Sequence, residues 1–383
     1  MFDGPHTAQP RPLRLAIVST YDDLCGIAGY TRALEHQLRP HAEVQVFDLD
    51  QYLLRSPHQR VQRLADLHIQ DIASRLQDFD SVNIQLEYGT LGRTRRQILR
   101  RLRRLVLSAR AASVTFHTVL GNDPFPWPEL GRRLAAGRLI GGVRAVTGYF
   151  HAHGLATATY GFLRRRQRRQ RISVIVHTRR DARLLRDVFR LQNVDHHPLS
   201  FISPAQADAV RRCARRSDFP TLSTLPPGAR VIGTFGFLSP YKGFDTALRA
   251  LHYLPDDCHL LIFGGVHPQG IQRHQKLDPY IQTLLQEGHI GINMIDAIGD
   301  KKVPMTVNLD AACKDLLAHH PNDLQHRVHF MGVHDDEAFM RAMALCNAVV
   351  LPYLEVGQSS SGPISMALEM GCRVIASRTL AFL

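Results

Sequence analysis

Residues 352–371 read PYLEVGQSSSGPISMALEMG, so an apolar run that ends in three serines, a glycine and a proline passes directly into a helical pattern. The first N–H groups of a helix have no intrahelical partners, and together with the helix dipole they attract an anion. Ser359, Ser360, Ser361 and Gly362 stand where those donors are exposed, and Pro363 lies near the first turn, where a missing N–H costs little. Plain capping of the helix by the serines is the alternative, and this loop alone leaves both readings open.

Two more turns have the same character. In GTFGFLSPYKGFDTALRAL a strand turns into a helix through Lys242 and Gly243, which offer an ammonium for a phosphate and a backbone free to come close. In IVSTYDDLCGIAGYTRAL the passage from strand to helix runs through Gly26 and Gly29, without the G-x-G-x-x-G spacing of dinucleotide binders. Phosphate-friendly turns at equivalent strand ends, split between the two halves of the chain, point to a diphosphate such as that of a nucleotide-sugar.

The elements that must position these turns are legible as short β-rich runs. LRLAIVST, VQVFD, VNIQL, SVTFH and ISVIVH occupy the first half; RVIGTFGF, HLLIFGG, RVHFMG, NAVVLPY and RVIAS occupy the second. Segments of helical period such as AGYTRALEHQL and DEAFMRAMALC lie between them. Continuous apolar strands alternating with helices predict parallel sheets covered on both faces, with ligands at the carboxyl ends of the strands. The expected fold is α/β, two doubly wound Rossmann-like domains facing a cleft. Prolines and small polar residues at 213–229 predict a linker between a first domain at 1–212 and a second at 230–383. Residues 266–325 form a long connection with helical stretches of its own, YIQTLLQEG and LDAACKDLLAHH.

A chain of 383 residues, 44% of them hydrophobic, is long enough for two full cores. MFDGPHTAQPRP has no apolar run of the kind a secretory signal needs, and Arg144, His151, His153 and several glycines interrupt the stretch 139–163, which argues against a membrane span. The cysteines are scattered without C-x-x-C spacing, as free thiols of a reducing cytoplasm would be. No H-E-x-x-H or clustered ligand spacing occurs, and Asp48-Leu49-Asp50 reads as a polar strand exit, so no metal is expected.

The order and spacing of CGIAGYTRAL, VNIQLEYGTLG, VTFHTVL, GFLSPYKGFDTAL and LPYLEVGQSSSGPISMALEMGCRVIAS resemble those of the retaining glycosyltransferases of family 4, which have the two-Rossmann-domain GT-B architecture. The resemblance runs from about Leu13 to the end of the chain. It implies transfer of a sugar from a nucleotide-sugar to a hydroxyl of a glycan, lipid-linked or other glycoconjugate acceptor, with retention and with neither metal nor cofactor. It further implies that Gly26 admits the donor diphosphate, that His117 contacts the transferred sugar near the reacting carbon, and that Lys242 stabilises the departing diphosphate. Ser360, Ser361 and Gly362 would donate backbone N–H groups to it, and Gln85, Glu87 and Tyr88 would line the acceptor side. Gln358 and Met366 stand where the family carries two glutamates. Gln358 can still bind sugar hydroxyls, and Glu369, one turn beyond Met366 on the same helical face, is the candidate for the ribose. Phe237 stands where an arginine is common, and the sequence stops at VIASRTLAFL, before the elements with which the family usually continues. The expectation is therefore either a truncated fragment or a second domain lacking the usual C-terminal elements. The rival readings are a non-catalytic protein of the same architecture that binds a sugar nucleotide or a partner, and a nucleotide-sugar epimerase.

The formal charge of +13 implies an anionic partner. GRTRRQILRRLRRLVLSAR, residues 92–110, carries eight arginines and no acid, and RRRQRRQR, residues 164–171, adds six. A basic amphipathic helix with Ile98, Leu102 and Leu105 in one stripe reads as a membrane-surface element; a solvated face packed on the core through that stripe is the alternative. Nucleic acid is set aside, because no aromatics interleave with the arginines. The expectation is a cytoplasmic protein held peripherally on the inner face of the membrane.

Overall fold

In a computed structural model the chain divides into two compact units, Met1–Leu199 and Ser200–Leu383. The structure describes residues 11–23, 25–121, 127–266, 280–281, 283–284, 319, 324, 326–356 and 359–382.

The first unit is built on a parallel sheet in the order β2-β1-β3-β4-β5-β6. Its strands are β1 (Arg14–Ser19), β2 (Glu43–Asp48), β3 (Ser81–Leu86), β4 (Ala111–Phe116), β5 (Arg171–Val176) and β6 (Val194–His196). Between them run α1 (Gly26–Leu38), α2 (Gln51–Arg55), α3 (Gln59–Arg75), α4 (Arg95–Ser108), α5 (Trp127–Ala135), α6 (Leu139–Gln167) and α7 (Arg179–Arg183). The central strands are covered on both faces: Val82, Ile84, Leu86, Val114 and Phe116 are wholly enclosed on one, where each contributes roughly 1.5–3 kcal/mol of burial, and Asn83, Gln85 and Thr115 are buried on the other. Strands β3 and β4 also carry a second pattern. Register pairs Asn83 with Ser113 and Gln85 with Thr115, so a polar stripe runs up one face of an otherwise apolar sheet. β6 was not foreseen, because three residues at a sheet edge leave no periodicity to read.

Asp48 and Asp50 serve the strand exit, as expected. Asp48 Oδ1 accepts from Tyr21 N at 2.7 Å, and Asp50 caps α2 by accepting from Leu53 N at 3.1 Å. Among the described residues no helix is long and apolar enough to cross a membrane.

The arginine-rich segment forms α4, opened by a capping box in which Thr94 and Gln97 satisfy each other's backbone N–H groups. Its apolar stripe is internal: Ile98, Leu102 and Leu105 belong to the main core of the unit. This corrects the expectation that the stripe lies on a membrane and favours the packed alternative. Arg101 goes inside with them. Its guanidinium donates to Asp66 Oδ1 at 2.9 Å, to Gln62 Oε1 at 2.8 Å and to the carbonyls of Leu91 and Leu54 at 2.8 and 3.3 Å. One buried cation thereby joins α4 to α3, to α2 and to the loop that precedes α4.

The second unit carries a parallel sheet in the order β11-β10-β7-β8-β9. The strands are β7 (Arg230–Phe235), β8 (Cys258–Phe263), β9 (Val328–Gly332), β10 (Ala348–Leu351) and β11 (Val374–Ala376). Its described helices of five residues or more are α8 (Pro204–Cys213), α9 (Pro220–Thr224), α10 (Phe244–Leu251), α11 (Asp336–Leu345) and α12 (Gly362–Glu369). The helical stretches expected within 266–325 lie outside the described residues, apart from Tyr280, Ile281, Thr283, Leu284 and His319, of which Leu284 joins Leu248 and Leu251 in a core cluster.

The expected linker is not one. The division falls between Leu199 and Ser200, and Phe219 and Leu222 from within 213–229 pack with Phe235 and Phe263 in the core of the second unit. Of the prolines that suggested a break, Pro220 opens a helix instead.

Removing the Arg101 guanidinium takes a donor from the carbonyls of Leu91 and Leu54, and leaves Asp66 to Arg100 and Gln62 Oε1 to Gln97. Arg101→Ala should destabilise the first unit by about 1–3 kcal/mol, read as a lower urea midpoint, and Arg101→Lys should recover only part, because an ammonium cannot bridge four acceptors in that fork. A midpoint equal to wild type would remove this residue from the stability argument.

Candidate functional site

In the second sheet the strand order reverses between β10 and β7, and open parallel sheets bind ligands at the carboxyl ends of the strands at such a point. The loop after β7 carries Lys242 and that after β10 carries Tyr353, Ser359, Ser360 and Ser361. The two loops are pressed together: Leu354 N donates to Tyr241 O at 2.7 Å, and Gly243, at φ 66°, lies so close to Pro352 that a Cβ would fall 2.0 Å from its carbonyl oxygen. Gly243 is therefore required by the neighbouring loop as well as by its left-handed backbone.

This contact buries Lys242. Its Nζ donates to Tyr353 Oη at 2.6 Å and lies 3.9 Å from the centre of that ring, and Ser361 Oγ donates to the same phenol oxygen at 3.1 Å. Among the described residues no carboxylate pairs with the ammonium. Burial alone lowers the Lys242 pKa to about 7, and burial raises that of Tyr353, which stays a phenol. A desolvated cation with only neutral oxygens around it favours an arriving anion. The start of α12 adds backbone donors. Ser361 holds the N-cap position, yet its side chain makes no cap and is turned to Tyr353 instead, so simple serine capping does not account for this loop.

At the far end of α12, both carboxylate oxygens of Glu369 accept from Phe201 N, at 3.2 and 3.0 Å. Met366 is buried in the core. Gln358 lies outside the described residues.

In the first unit the polar stripe ends in a histidine. Asn83 Nδ2 donates to Ser113 Oγ at 2.8 Å and Thr115 Oγ1 at 3.0 Å, Gln85 Nε2 donates to Asn83 Oδ1 at 2.5 Å, and His117 Nε2 meets Gln85 Oε1 at 2.7 Å. Because the Gln85 amide nitrogen is already engaged, its oxygen faces the imidazole, and His117 must donate from Nε2. The chain of bonds selects one tautomer and leaves Nδ1 as the acceptor. Burial, with a smaller contribution from His177, holds His117 well below the usual histidine range, so the ring is neutral at pH 7.

Gln85 thus serves His117 from within the sheet, which corrects its expected place on an acceptor surface. Tyr88 likewise belongs to the core, tilted against Phe116. Glu87 accepts from Thr118 Oγ1 at 2.6 Å, and burial raises its pKa. Arg55, unmarked by any motif, is close enough to Glu87 and Asp23 to feel their charges, although burial and Arg93 lower its pKa. Gly26 is exposed at the first turn of α1, and a Cβ there would meet nothing within 4 Å. The residues that the sequence did not mark are Tyr353, which follows the strand as an ordinary aromatic, and Asn83, which resembles an interruption of an apolar run.

No protein-family model matches the chain, and no curated protein matches it. Solved structures do. The UDP-forming α,α-trehalose-phosphate synthase of Burkholderia vietnamiensis is 12% identical over 96% of this chain and 85% of its own, with a TM-score of 0.58. WaaG, a glycosyltransferase involved in lipopolysaccharide biosynthesis, is 10% identical over 97% and 82%, with a TM-score of 0.51. HepE of Anabaena, solved with UDP and glucose, is 14% identical over 96% and 81%, with a TM-score of 0.50. At these identities the likeness is one of fold, and it agrees with the expected α/β fold of two Rossmann-like domains of the GT-B class.

Burial also lowers the His177 pKa, to about 4. Against an unfolded-state value near 6.5, this stability is complete above pH ~6.5 and is lost as pH falls toward 4. Nitrogen NMR at pH 7 should find His117 protonated on Nε2 and His177 on Nδ1, with both rings neutral. A charged imidazole at pH 6.5 would contradict the assignment.

Proposed function

We propose that the protein is a retaining glycosyltransferase of the family 4 type, which moves a sugar from a nucleotide-sugar to a hydroxyl of a glycan, lipid-linked or other glycoconjugate acceptor without a metal. The observation that carries this reading is Lys242, a buried ammonium at a topological switch point, beside a helix start, with no carboxylate partner among the described residues. Solved neighbours of the same fold support it: the trehalose-phosphate synthase is named as UDP-forming, and HepE holds UDP and glucose.

In this reading the bond between the anomeric carbon and the diphosphate oxygen breaks, and its electron pair leaves with the diphosphate while the sugar takes on oxocarbenium character. The acceptor hydroxyl oxygen bonds to that carbon, and its proton passes to the released diphosphate. Lys242 and the backbone N–H groups of Ser360, Ser361 and Gly362 meet the charge as it grows, the fixed arrangement of donors that lowers such barriers. His117 offers its Nδ1 lone pair to the transferred sugar, Gly26 leaves room for the donor phosphates, and Gln358 and Glu369 bind sugar or ribose hydroxyls. For Glu369 this requires lone pairs beyond those that hold Phe201 N. Glu87 lines the acceptor side.

The basic helix has a separate place in the proposal. With its apolar stripe internal, α4 presents Arg96, Arg100, Arg103 and Arg104 around a groove of about 560 Å³ whose apolar lining is Leu99 and Leu107. Gln170 Nε2 donates to the carbonyls of Val106 and Ala109 at 2.9 and 2.6 Å, which holds the second basic run alongside the end of the helix. We assign this face to an anionic membrane surface, met by charge and not by insertion of the stripe.

Two measurements test these assignments. With a Lys242 pKa of about 7, the ammonium is mostly neutral at pH 8, and a bound diphosphate raises its pKa. Calorimetry of UDP-glucose in two buffers at pH 8 should therefore record uptake of close to one proton, with affinity weakening as pH rises above 7. Lys242→Met should abolish the uptake and lower turnover on the order of a hundredfold. No uptake in wild type, together with normal turnover in the variant, would take Lys242 out of the mechanism. For the basic face, vesicles containing phosphatidylglycerol should bind the protein and release it as salt rises, and Arg103→Glu with Arg104→Glu should weaken that binding. Equal binding to neutral vesicles, or indifference to salt, would overturn the electrostatic assignment.

A further inference from the structure

Phe116 in β4 and Val176 in β5 are register partners, so the residues that follow them, His117 and His177, leave the sheet side by side. Their ring centres are 5.0 Å apart, and Tyr30 from α1 meets both edge-on, at 5.4 and 5.6 Å. Only 8% of His117 and 6% of His177 is exposed. The two rings are held in opposite senses. His117 donates from Nε2 to Gln85, whereas His177 Nδ1 donates to the carbonyl of His197 at 3.0 Å.

That bond leaves His177 Nε2 as a lone pair, and this buried atom has no hydrogen-bond partner among the described residues. A buried acceptor without a donor costs about 1–3 kcal/mol, and such atoms are few in native folds. This one stands at the carboxyl end of a parallel strand, next to the histidine already assigned to the sugar. A neutral imidazole nitrogen of this kind accepts from a hydroxyl and has nothing to offer a phosphate.

We propose that His177 is a second sugar-binding residue, whose Nε2 accepts a hydrogen bond from a hydroxyl of the transferred sugar beside the one held by His117. The assignment rests on the nucleotide-sugar reading above. With two neighbouring acceptors the site distinguishes sugars by the placement of two hydroxyls. Losing a hydroxyl that meets a buried acceptor leaves that acceptor unpaired, which is how such sites reject deoxy analogues.

Two substitutions separate a ligand contact from a structural one. The amide nitrogen of Asn occupies the place of Nδ1, so His177→Asn keeps the bond to the His197 carbonyl and removes the Nε2 acceptor. The amide of Gln reaches the place of Nε2, so His177→Gln keeps an acceptor there and gives up the bond to His197. Binding of UDP-glucose and of UDP is measured by calorimetry for wild type and both variants, with thermal midpoints alongside. His177→Asn should weaken UDP-glucose about tenfold, leave UDP within twofold and keep the wild-type midpoint; His177→Gln should hold UDP-glucose better despite a lower midpoint. One monodeoxy analogue of UDP-glucose should lose the same factor in wild type and nothing further in His177→Asn. If His177→Asn binds UDP-glucose as wild type does, the proposal is wrong and His177 only anchors the His197 carbonyl. If wild type binds UDP but gains nothing from the glucose, the proposal fails while the nucleotide reading stands; if it binds neither, both fall.

Discussion

The hydrogen bond between Lys242 and Tyr353 joins residues 111 positions apart, and the rest of the candidate donor site depends on it. It exists because β10 lies against β7 in the sheet, which brings the loop after one strand onto the loop after the other. Burying an ammonium against a phenol is unfavourable by itself, and neutral hydroxyls return little of the lost hydration. A carboxylate in the place of Tyr353 would have made the same lysine an internal ion pair, stable and inert. With oxygen donors and acceptors of no net charge around it, the lysine keeps its attraction for an outside anion. The tight loops follow from the same constraint. Gly243 lets the backbone press against Pro352, and Gly264, at φ 145°, comes so close to Gly236 that a Cβ would fall 1.8 Å from its carbonyl oxygen.

The first unit meets the opposite problem, the burial of neutral polar groups, and meets it by completing the bonds. Asn83, Gln85, Ser113 and Thr115 would each be costly on a covered sheet face if left unpaired. Joined in sequence, they fix the orientation of Gln85, and Gln85 fixes the tautomer of His117. An imidazole held in this way presents a definite lone pair, which a freely turning ring at a strand end would not. His177, anchored through its other nitrogen, presents a second one next to it.

Much of this was legible beforehand. Ten of the eleven described strands follow from short apolar runs, and the turns at Gly26, at Lys242-Gly243 and at the serine cluster were marked by residue type. Elsewhere one local pattern served two structures. Prolines at 220, 226 and 227 look the same to a reader whether they interrupt a chain or open a helix, and here Pro220 opens one. The stripe of Ile98, Leu102 and Leu105 has the same period whether it meets lipid or a neighbouring helix; packing against α3 and the internal bonds of Arg101 gave it to the core. Gln85 and Tyr88 carried polar atoms at a strand end and so looked available to an acceptor, but β4 covers one and the core encloses the other.

Sequence alone determined the period and polarity of each segment, and therefore the parallel sheets, the helices between them and the strand ends at which polar residues gather. These are properties of residues within a few positions of one another. Tertiary structure decided which strand ends are neighbours, how completely each polar group is stripped of water, and so which tautomer and which protonation state it adopts. Tyr353 acquires its meaning from Lys242, and His177 from His117, only when non-local strand pairing places them together. Desolvation depends on everything packed around a group, and no short stretch of chain encodes it.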